Sequence, residues 1–198
     1  MKKLQRRTKQ LLVRPLLKND YCAWKQCSLE MKKPQNKWDK GPKPASELGR
    51  IHFNKILKAQ KKRRENDTFY DLGVFNKQDF LVGHVSIMEV SRGISHSAYL
   101  GYRIFNNYWR RGYGKEAVRL IIDIGFKDIN LHRLEAGIEP RNFRSIKLAK
   151  SLGMRREGIK KNALFLRGKW VDLVMYTLTT EDLGIKFKKS QLKYSARS

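Results

Sequence analysis

The strongest constraint on the fold is a glycine-containing junction between a predicted strand and a predicted helix. Alternating apolar residues over Ala98–Phe105 predict a strand that ends just before the junction. After it, apolar residues recur at the spacing of one helix face, at Ala117, Leu120, Ile121 and Ile124. A helix N-terminus presents unpaired N–H groups and a positive dipole end, and glycine lets an anion approach them closely. Gly112 and Gly114 therefore predict a pyrophosphate-binding loop, flanked by the cations Arg110, Arg111 and Lys115.

Two other phosphate-binding motifs fit this junction less well. The spacing Gly112-x-Gly114-x-x-Ala117 also fits the dinucleotide fingerprint, and Glu135 lies where that fingerprint has a ribose-binding acid. However, the fingerprint opens a series of βαβ units directly after a buried strand. Here the polar run 106–108 intervenes, and one further strand–helix pair follows. A kinase-type phosphate loop is excluded because the sequence contains no G-x-x-x-x-G-K-[ST] motif.

A third interpretation comes from a family resemblance. The loop resembles the acetyl-CoA loop of the GNAT superfamily of N-acetyltransferases, Q/R-x-x-G-x-G/A, with Trp109 where Gln or Arg is usual. Its setting, Tyr-Trp-x-x-Gly-Tyr-x-x-Glu-Ala, is similar to the ribosomal-protein N-terminal acetyltransferases of the RimJ and RimL type, and closest to RimJ. The resemblance extends over residues 11–183 and is strongest from Gly83 onward. It continues in order through Leu134-Glu135-Ala136, Pro140-Arg141-Asn142, Ser145, Leu152-Gly153-Met154, Glu157-Gly158 and Gly168-Lys169-Trp170.

The resemblance implies where acetyl-CoA and the acceptor would bind. It places the pantetheine arm along the central strand at Ile104 and Phe105. A backbone N–H within 103–105, separated from the neighbouring strand by a bulge, would polarise the thioester carbonyl. Trp38 would belong to the acceptor groove, although a loop residue that plugs the core is the alternative. The pyrophosphate would bind at Arg110, Arg111, Gly112, Tyr113, Gly114 and Lys115.

Acetyl transfer to an amine needs a neutral amine, a polarised carbonyl and a proton for the departing thiolate. Glu135 is the candidate base, with Glu139 as the fallback, although Glu135 could be an ordinary paired acid. By resemblance, Asn142 would hold the pantetheine and Ser145 would donate a proton to the CoA sulfur, although both could be plain helix-cap residues. The tyrosine acid of other branches would fall at Ala149 and the late glutamate of RimL-type enzymes near Leu164, so this chain has neither and the RimJ-like arrangement is favoured.

The chain carries an unusually large positive charge. Of its 198 residues, 44 are Lys or Arg and 18 are Asp or Glu, which gives a net charge of +26. Such an excess favours polyanionic partners, namely rRNA, tRNA or the phosphates of CoA. Compositional drift toward lysine, without any such partner, is the alternative.

The sequence also indicates a compartment. No run of 18 apolar residues is present, so we expect no membrane span. The basic N-terminus has no apolar run of the signal-peptide kind. Cys22 and Cys27 form no metal-binding motif, and the histidines are scattered, so we expect unpaired thiols, no metal and a cytoplasmic location.

The predicted organisation is a single domain over 11–183, between a basic lead-in (1–10) and a basic C-terminal tail (184–198) that we expect to be frayed. The predicted elements are a strand at 11–16, a helix capped by Asn19-Asp20 and running to Met31, a helix at 47–65, a hairpin at 68–75 and 80–87, a strand at 131–138, a helix from Asn142, and a hairpin at 163–167 and 170–178 that turns at Gly168-Lys169.

The resemblance implies an α/β fold: a mixed, twisted, mostly antiparallel sheet flanked by helices, with a splayed V between two central strands where acetyl-CoA binds. It further implies transfer of acetyl to the N-terminal α-amine of a protein, by direct attack in a ternary complex. The expected acceptor is a ribosomal protein, on the ribosome or an assembly intermediate, with rRNA contact. The alternatives are acetylation of a small amine, such as a polyamine or an antibiotic, and a non-enzymatic RNA-binding or ribosome-assembly factor.

Overall fold

A computed structural model describes residues 4–188 of the protein. Within that range, strands form one mixed sheet in the order β1-β2-β3-β4-β5-β6-β8-β7. All neighbours are antiparallel except β5 and β6, which are parallel. This confirms the predicted mostly antiparallel sheet. The strands are β1 (Arg6–Arg7), β2 (Leu11–Arg14), β3 (Tyr70–Asn76), β4 (Leu81–Ser91), β5 (Ser97–Ile104), β6 (Arg133–Ile138), β7 (Arg155–Leu166) and β8 (Lys169–Thr179).

Helices cover both faces of the sheet. On one face, α3 continues into a π-helical turn at Ile124–Asp128, and Gly125 of that turn packs against Ile87 and Leu134. On the opposite face, Gln60 of α2 donates a 2.7 Å hydrogen bond to Asp71. The helices are α1 (Tyr21–Leu29), α2 (Arg50–Glu65), α3 (Tyr113–Asp123) and α4 (Phe143–Ser151), and short 3-10 turns occupy Lys18–Asp20, Ala45–Glu47, Asn106–Tyr108 and Glu181–Leu183.

The central strands form the predicted V. β5 and β6 pair only where Ser97–Tyr99 faces Arg133–Glu135. Beyond that point β5 stays in register with β4 as far as Ile104, whereas β6 follows β8 as far as Ile138. The two strands therefore separate toward their carboxyl ends, because each follows its antiparallel partner. This confirms the splayed V.

The predicted bulge near 103–105 is wrong. The register between β4 and β5 is continuous from Gly83 opposite Ile104 to Met88 opposite Tyr99. The irregularity lies at the other end of β4, between Met88 and Ser91, where Glu89 has φ +53°. The V therefore opens without a break in the strand that borders it.

Several predicted element ends are also wrong. The first strand ends at Arg14 rather than Leu16, and the β6 strand begins at Arg133 rather than Leu131. The last hairpin begins at Arg155, well before Ala163. Its turn is Arg167-Gly168, with φ values of +52° and +77°, rather than Gly168-Lys169. A type I′ turn needs positive φ at both central residues, and Arg167 and Gly168 have it. The turn therefore lies one position before the predicted one.

The start of α1 agrees with the prediction, since Asp20 is its N-cap residue, but no side-chain cap hydrogen bond forms. Asp20 precedes α1, but its carboxylate accepts hydrogen bonds from the Arg14 guanidinium at 2.6 and 2.7 Å and from the Leu17 N–H at 2.7 Å. The predicted cap is therefore an ion pair with β2. By contrast, α2 begins at Arg50, after a 3-10 turn at Ala45–Glu47, and not at Glu47 as predicted. The helical spacing allows either Ala23 or Trp24 to face inward together with Cys27 and Met31; Trp24, Cys27 and Met31 are buried, whereas Ala23 is half-buried.

Both basic ends join the fold where they are described. Arg6 donates hydrogen bonds to Asp123 (2.7 Å) and Asp128 (2.8 Å). The lead-in is thus attached to the end of α3 and to the π-helical turn that follows it. In the tail, the Phe187 ring packs 5.2 Å from the His96 ring. Residues 184–188 of the tail lie against the fold in this way, while residues 1–3 and 189–198 lie outside the described range. No helix within 4–188 is long and apolar enough to cross a membrane.

Candidate active site

The glycine-containing loop is held in place from two sides. The Trp109 indole N–H donates a 2.7 Å hydrogen bond to the carbonyl of Ile104, at the end of β5. The Arg144 guanidinium of α4 lies 4.9 Å from the centre of the Trp109 ring. Trp109, the residue that departs from the usual family motif, thus ties the loop to the strand and to α4.

The two glycines of the loop have different structural requirements. Gly112 is the N-cap of α3 and has φ +78°, a conformation that L-residues with side chains adopt at a cost. A Cβ on Gly114 would meet only Leu148 and Ile104, at 3.8 and 3.9 Å, which is ordinary contact. The loop conformation therefore requires glycine at 112 but not at 114.

The loop presents cations at the helix N-terminus, as the sequence predicts. Arg110, Arg111 and Lys115 are exposed, and Arg110 itself adopts φ +64°. The first N–H groups of α3 have no partner inside the helix. Tyr113 is the first residue of α3 and is half-buried. This geometry suits the two phosphates of a diphosphate ester.

The open edge of β5 faces the V. The Phe105 N–H donates to the Val82 carbonyl at 2.9 Å, so it points to β4 and is not available in the V. Because N–H groups alternate in direction along a strand, those of Ile104 and Tyr102 point toward the gap. They are the candidate donors to the pantetheine amides and to the thioester oxygen. Of the backbone N–H groups at 103–105, the Ile104 N–H is therefore the candidate to polarise the thioester carbonyl.

Two hydroxyl groups meet on the α4 side of the V. The Tyr102 hydroxyl lies 2.6 Å from Ser145 Oγ. Asn142 is the N-cap of α4, as predicted, and its Oδ1 accepts the Ser145 N–H at 3.3 Å. Burial raises the pKa of Tyr102, and the Ser145 hydrogen bond offsets this only in part.

Tyr102 is not among the site residues predicted from the sequence. The available signal was its alternation with the apolar residues Ala98 and Leu100, which places it on the face covered by α3.

Glu135 lies on the opposite face of the sheet from Ser145. Its neighbours Leu134 and Ala136 are buried toward α3, so its own side chain points the other way. Arg133 donates to Glu135 Oε1 at 2.7 Å and to Thr177 Oγ1 at 2.9 Å, and it also pairs with Glu157. One oxygen of the candidate base is thus held in an ion pair.

Glu139 joins three chain segments at the open end of β6. Its carboxylate accepts hydrogen bonds from the Trp38 indole (2.8 Å), Lys37 (3.2 Å) and Arg167 (2.5 Å). Burial acts to raise the pKa of Glu139, but these donors outweigh it and the net shift is downward. A carboxylate with three donors and a lowered pKa is a weak base, so this environment does not favour the fallback role. We call Glu139, Lys37, Trp38 and Arg167 the Glu139 clasp.

The loop that carries Trp38 is anchored to the end of β5. Asn106 is buried, and its amide donates to the Lys32 carbonyl at 2.7 Å and to Asp39 at 2.8 Å. The Arg103 guanidinium donates to the Gly41 carbonyl at 3.1 Å. The polar run 106–108, which argued against a dinucleotide site, therefore fixes the loop over the V.

The remaining chemistry-bearing groups are dispersed. Within 4–188, no three His, Cys, Asp or Glu residues are grouped so as to hold a metal ion. Cys27 is buried, and burial raises its thiol pKa to about 12, whereas Cys22 is exposed.

A mostly antiparallel sheet whose central strands separate beside a glycine-containing helix N-terminus is the arrangement of the GNAT fold. Sequence comparison agrees: the family described as Acetyltransferase (GNAT) domain matches residues 10–155. The chain belongs to this family and is an N-acetyltransferase, and the GNAT fold uses acetyl-CoA.

Among its relatives is the probable N-acetyltransferase YjcK of Bacillus subtilis (strain 168), 33% identical over 129 residues, which are 65% of this chain and 71% of that protein. The [ribosomal protein uS5]-alanine N-acetyltransferase of Escherichia coli (strain K12) is 33% identical over 120 residues, 60% of this chain and 61% of that protein. The match thus spans less than two thirds of the E. coli enzyme.

Solved structures share the fold. The ribosomal-protein-S5-alanine acetyltransferase of Vibrio fischeri has a TM-score of 0.75 at 22% identity, covering 93% of this chain and 98% of that one. RimJ of Mycobacterium smegmatis in complex with CoA-disulfide has a TM-score of 0.73 at 24% identity, covering 87% and 83%.

Proposed function

We propose that the protein transfers acetyl from acetyl-CoA to the N-terminal α-amine of another protein, with a ribosomal protein as the acceptor. The observation that carries the proposal is the division of the site by the V. Ser145 and Tyr102 lie on the α4 side, where a departing thiol would need a proton. Glu135 and the loop of Trp38 lie on the opposite side, where an extended N-terminus could enter.

In the proposed mechanism the chain positions both reactants for direct attack. The edge of β5 pairs with the pantetheine amides, and the Ile104 N–H polarises the thioester carbonyl. Glu135, directly or through a water that it orients, accepts the proton of the amine, and Ser145 protonates the sulfur. An α-amine has a pKa of about 8, so it needs less help from a base than a lysine amine at about 10.4.

Acetylation of a small polyamine is the second candidate. A spermidine N-acetyltransferase of Vibrio cholerae shares the fold, with a TM-score of 0.66 at 19% identity. A polycation would need free carboxylates, but Glu135 is paired with Arg133, and Glu139 with Lys37 and Arg167. Because both carboxylates are already paired with cations of the chain, they attract a polycation less, and the peptide α-amine is the better candidate.

The test is CoA release from acetyl-CoA with three acceptors: an Ala- or Ser-starting peptide, the same peptide with a blocked N-terminus, and spermidine. We expect release with the free peptide and none with the blocked one. Release with spermidine alone would reassign the enzyme to small amines.

A further inference from the structure

Tyr102 occupies a specific place in the V. The pairing of β5 with β6 ends at Tyr99, so Tyr102 lies where the gap has opened. Its side chain crosses to α4 and ends 2.6 Å from Ser145 Oγ. Asn142 accepts the backbone N–H of Ser145, so the first turn of α4, which carries the serine, is held by its cap. The hydroxyl groups of Tyr102 and Ser145 therefore form a hydrogen-bonded pair at the first turn of α4.

The chemistry of the leaving group explains why a pair would be useful. A thiol has a pKa of about 8.5 and a phenol one of about 10, whereas a serine hydroxyl is a far weaker acid than either. If Ser145 alone supplied the proton, an alkoxide would remain, which is strongly unfavourable. If a phenol re-protonates the serine in the same step, the charge ends on a phenolate instead. Burial raises the pKa of Tyr102, so the phenolate is readily re-protonated and the relay is completed by the return of a proton to Tyr102.

We propose that Tyr102 is a positioning residue that passes its proton through Ser145 to the departing CoA sulfur. This rests on the proposed role of Ser145 beside that sulfur. The amine lone pair forms the N–C bond, the C–S bond breaks and its electron pair goes to sulfur. Sulfur takes the proton of Ser145 Oγ, and Ser145 Oγ takes the proton of Tyr102. The proton lost by the amine returns to the phenolate through Glu135 and solvent, so the cycle balances.

The test compares Tyr102→Phe, Ser145→Ala and the double variant with wild type, using single-turnover rates of acetyl transfer. We expect Tyr102→Phe to lower the rate about tenfold or more with KM for acetyl-CoA within about twofold, as for loss of a proton donor. The double variant should be no slower than Ser145→Ala, because Tyr102 acts through the serine. Multiplying losses, or an unchanged rate for Tyr102→Phe, would overturn the proposal.

A proton inventory, in which the acetyl-transfer rate is measured in mixtures of H₂O and D₂O, tests whether Tyr102 transfers a proton or only packs against Ser145. Wild type should give a curved plot, as for two protons in flight, and Tyr102→Phe a straight one. The matched control is Tyr176→Phe, which removes a phenol hydroxyl from a buried residue of β8. It should retain the wild-type rate and the curved plot. A straight plot for wild type would also overturn the proposal.

The same variants are compared in the slow hydrolysis of acetyl-CoA, which breaks the same C–S bond without any acceptor. A wild type that hydrolyses acetyl-CoA but acetylates no peptide would count against the proposed function alone. Equal hydrolysis rates for wild type and Tyr102→Phe would count against the relay alone.

Discussion

At the scale of single residues, the two loop glycines differ in whether another residue could replace them. Gly112 needs a positive φ, and Gly114 has room for a methyl group. We predict that Gly112→Ala destabilises the protein by about 1–2 kcal/mol through left-handed strain and weakens acetyl-CoA binding. Gly114→Ala should leave both properties nearly unchanged, which agrees with the alanine that the family motif accepts there. Thermal unfolding and calorimetric titration with CoA would check this, and equal effects of the two substitutions would contradict it.

The site could be predicted in part at this scale. The loop, Asn142 and Ser145 follow from ordered motifs along the sequence. The contact of Tyr102 with Ser145 and the contacts within the Glu139 clasp could not be predicted, because the partners lie 43 and up to 102 residues apart along the chain. Which alternating residue meets which helix depends on packing that a single sequence does not specify. Likewise, the Arg133 partner of Glu135 lies two residues away, but only the shared face of β6 brings them together.

At the scale of elements, strand pairing decided where prediction worked. The strand–helix order and the V follow from long periodic segments and family motifs. The positions of the bulge and of the last turn were predicted wrongly, because strand register depends on the neighbouring strand. β5 pairs with β4 without a break up to Ile104, and the last hairpin turns at Arg167-Gly168. Asp20 is the N-cap residue of α1, as predicted, but its carboxylate pairs with Arg14 of β2 instead of accepting a helix N–H.

The Glu139 clasp links the Trp38 loop, β6 and the β7–β8 turn. We predict that Glu139→Gln lowers the free energy of unfolding at pH 7 by about 1–2 kcal/mol, through lost hydrogen bonds to a charged group. It should also raise KM for the acceptor, because the loop is released.

The pH dependence of that loss gives a second check. The pKa of Glu139 is lowered from its ordinary 4.5, so the charged clasp stabilises the fold above that pH and the contribution is lost as pH falls below it. Wild type and Glu139→Gln should therefore converge in acid, as followed by urea unfolding from pH 7 to 3. Glu47→Gln, which removes an exposed i,i+4 pair with Lys43, should leave stability nearly unchanged at every pH. A loss that persists unchanged at pH 3 would contradict the account.

At the scale of the whole molecule, the few acids are largely occupied by ion pairs within the chain. This leaves a surface dominated by cations, which include Lys55, Lys58 and Lys62 along one exposed side of α2. The acids occupied in this way include Asp20, Asp67, Asp123, Glu139, Asp172 and Asp182.

A net charge of +26 should repel a free basic acceptor but attract one embedded in rRNA. We therefore predict that the protein sediments with ribosomal particles or assembly intermediates at low salt and is released as salt rises. Recovery in the supernatant at every salt concentration would contradict this association without affecting the assignment of the acetyl acceptor.

The most direct test of the central claim is where the acetyl group goes. A peptide with a free N-terminal alanine and internal lysines would be treated with acetyl-CoA and the enzyme, then fragmented in a mass spectrometer. We predict a single acetyl group on the α-amine and unmodified lysines, because the α-amine is the more easily deprotonated. Acetyl on lysine, with a free N-terminus, would contradict the account.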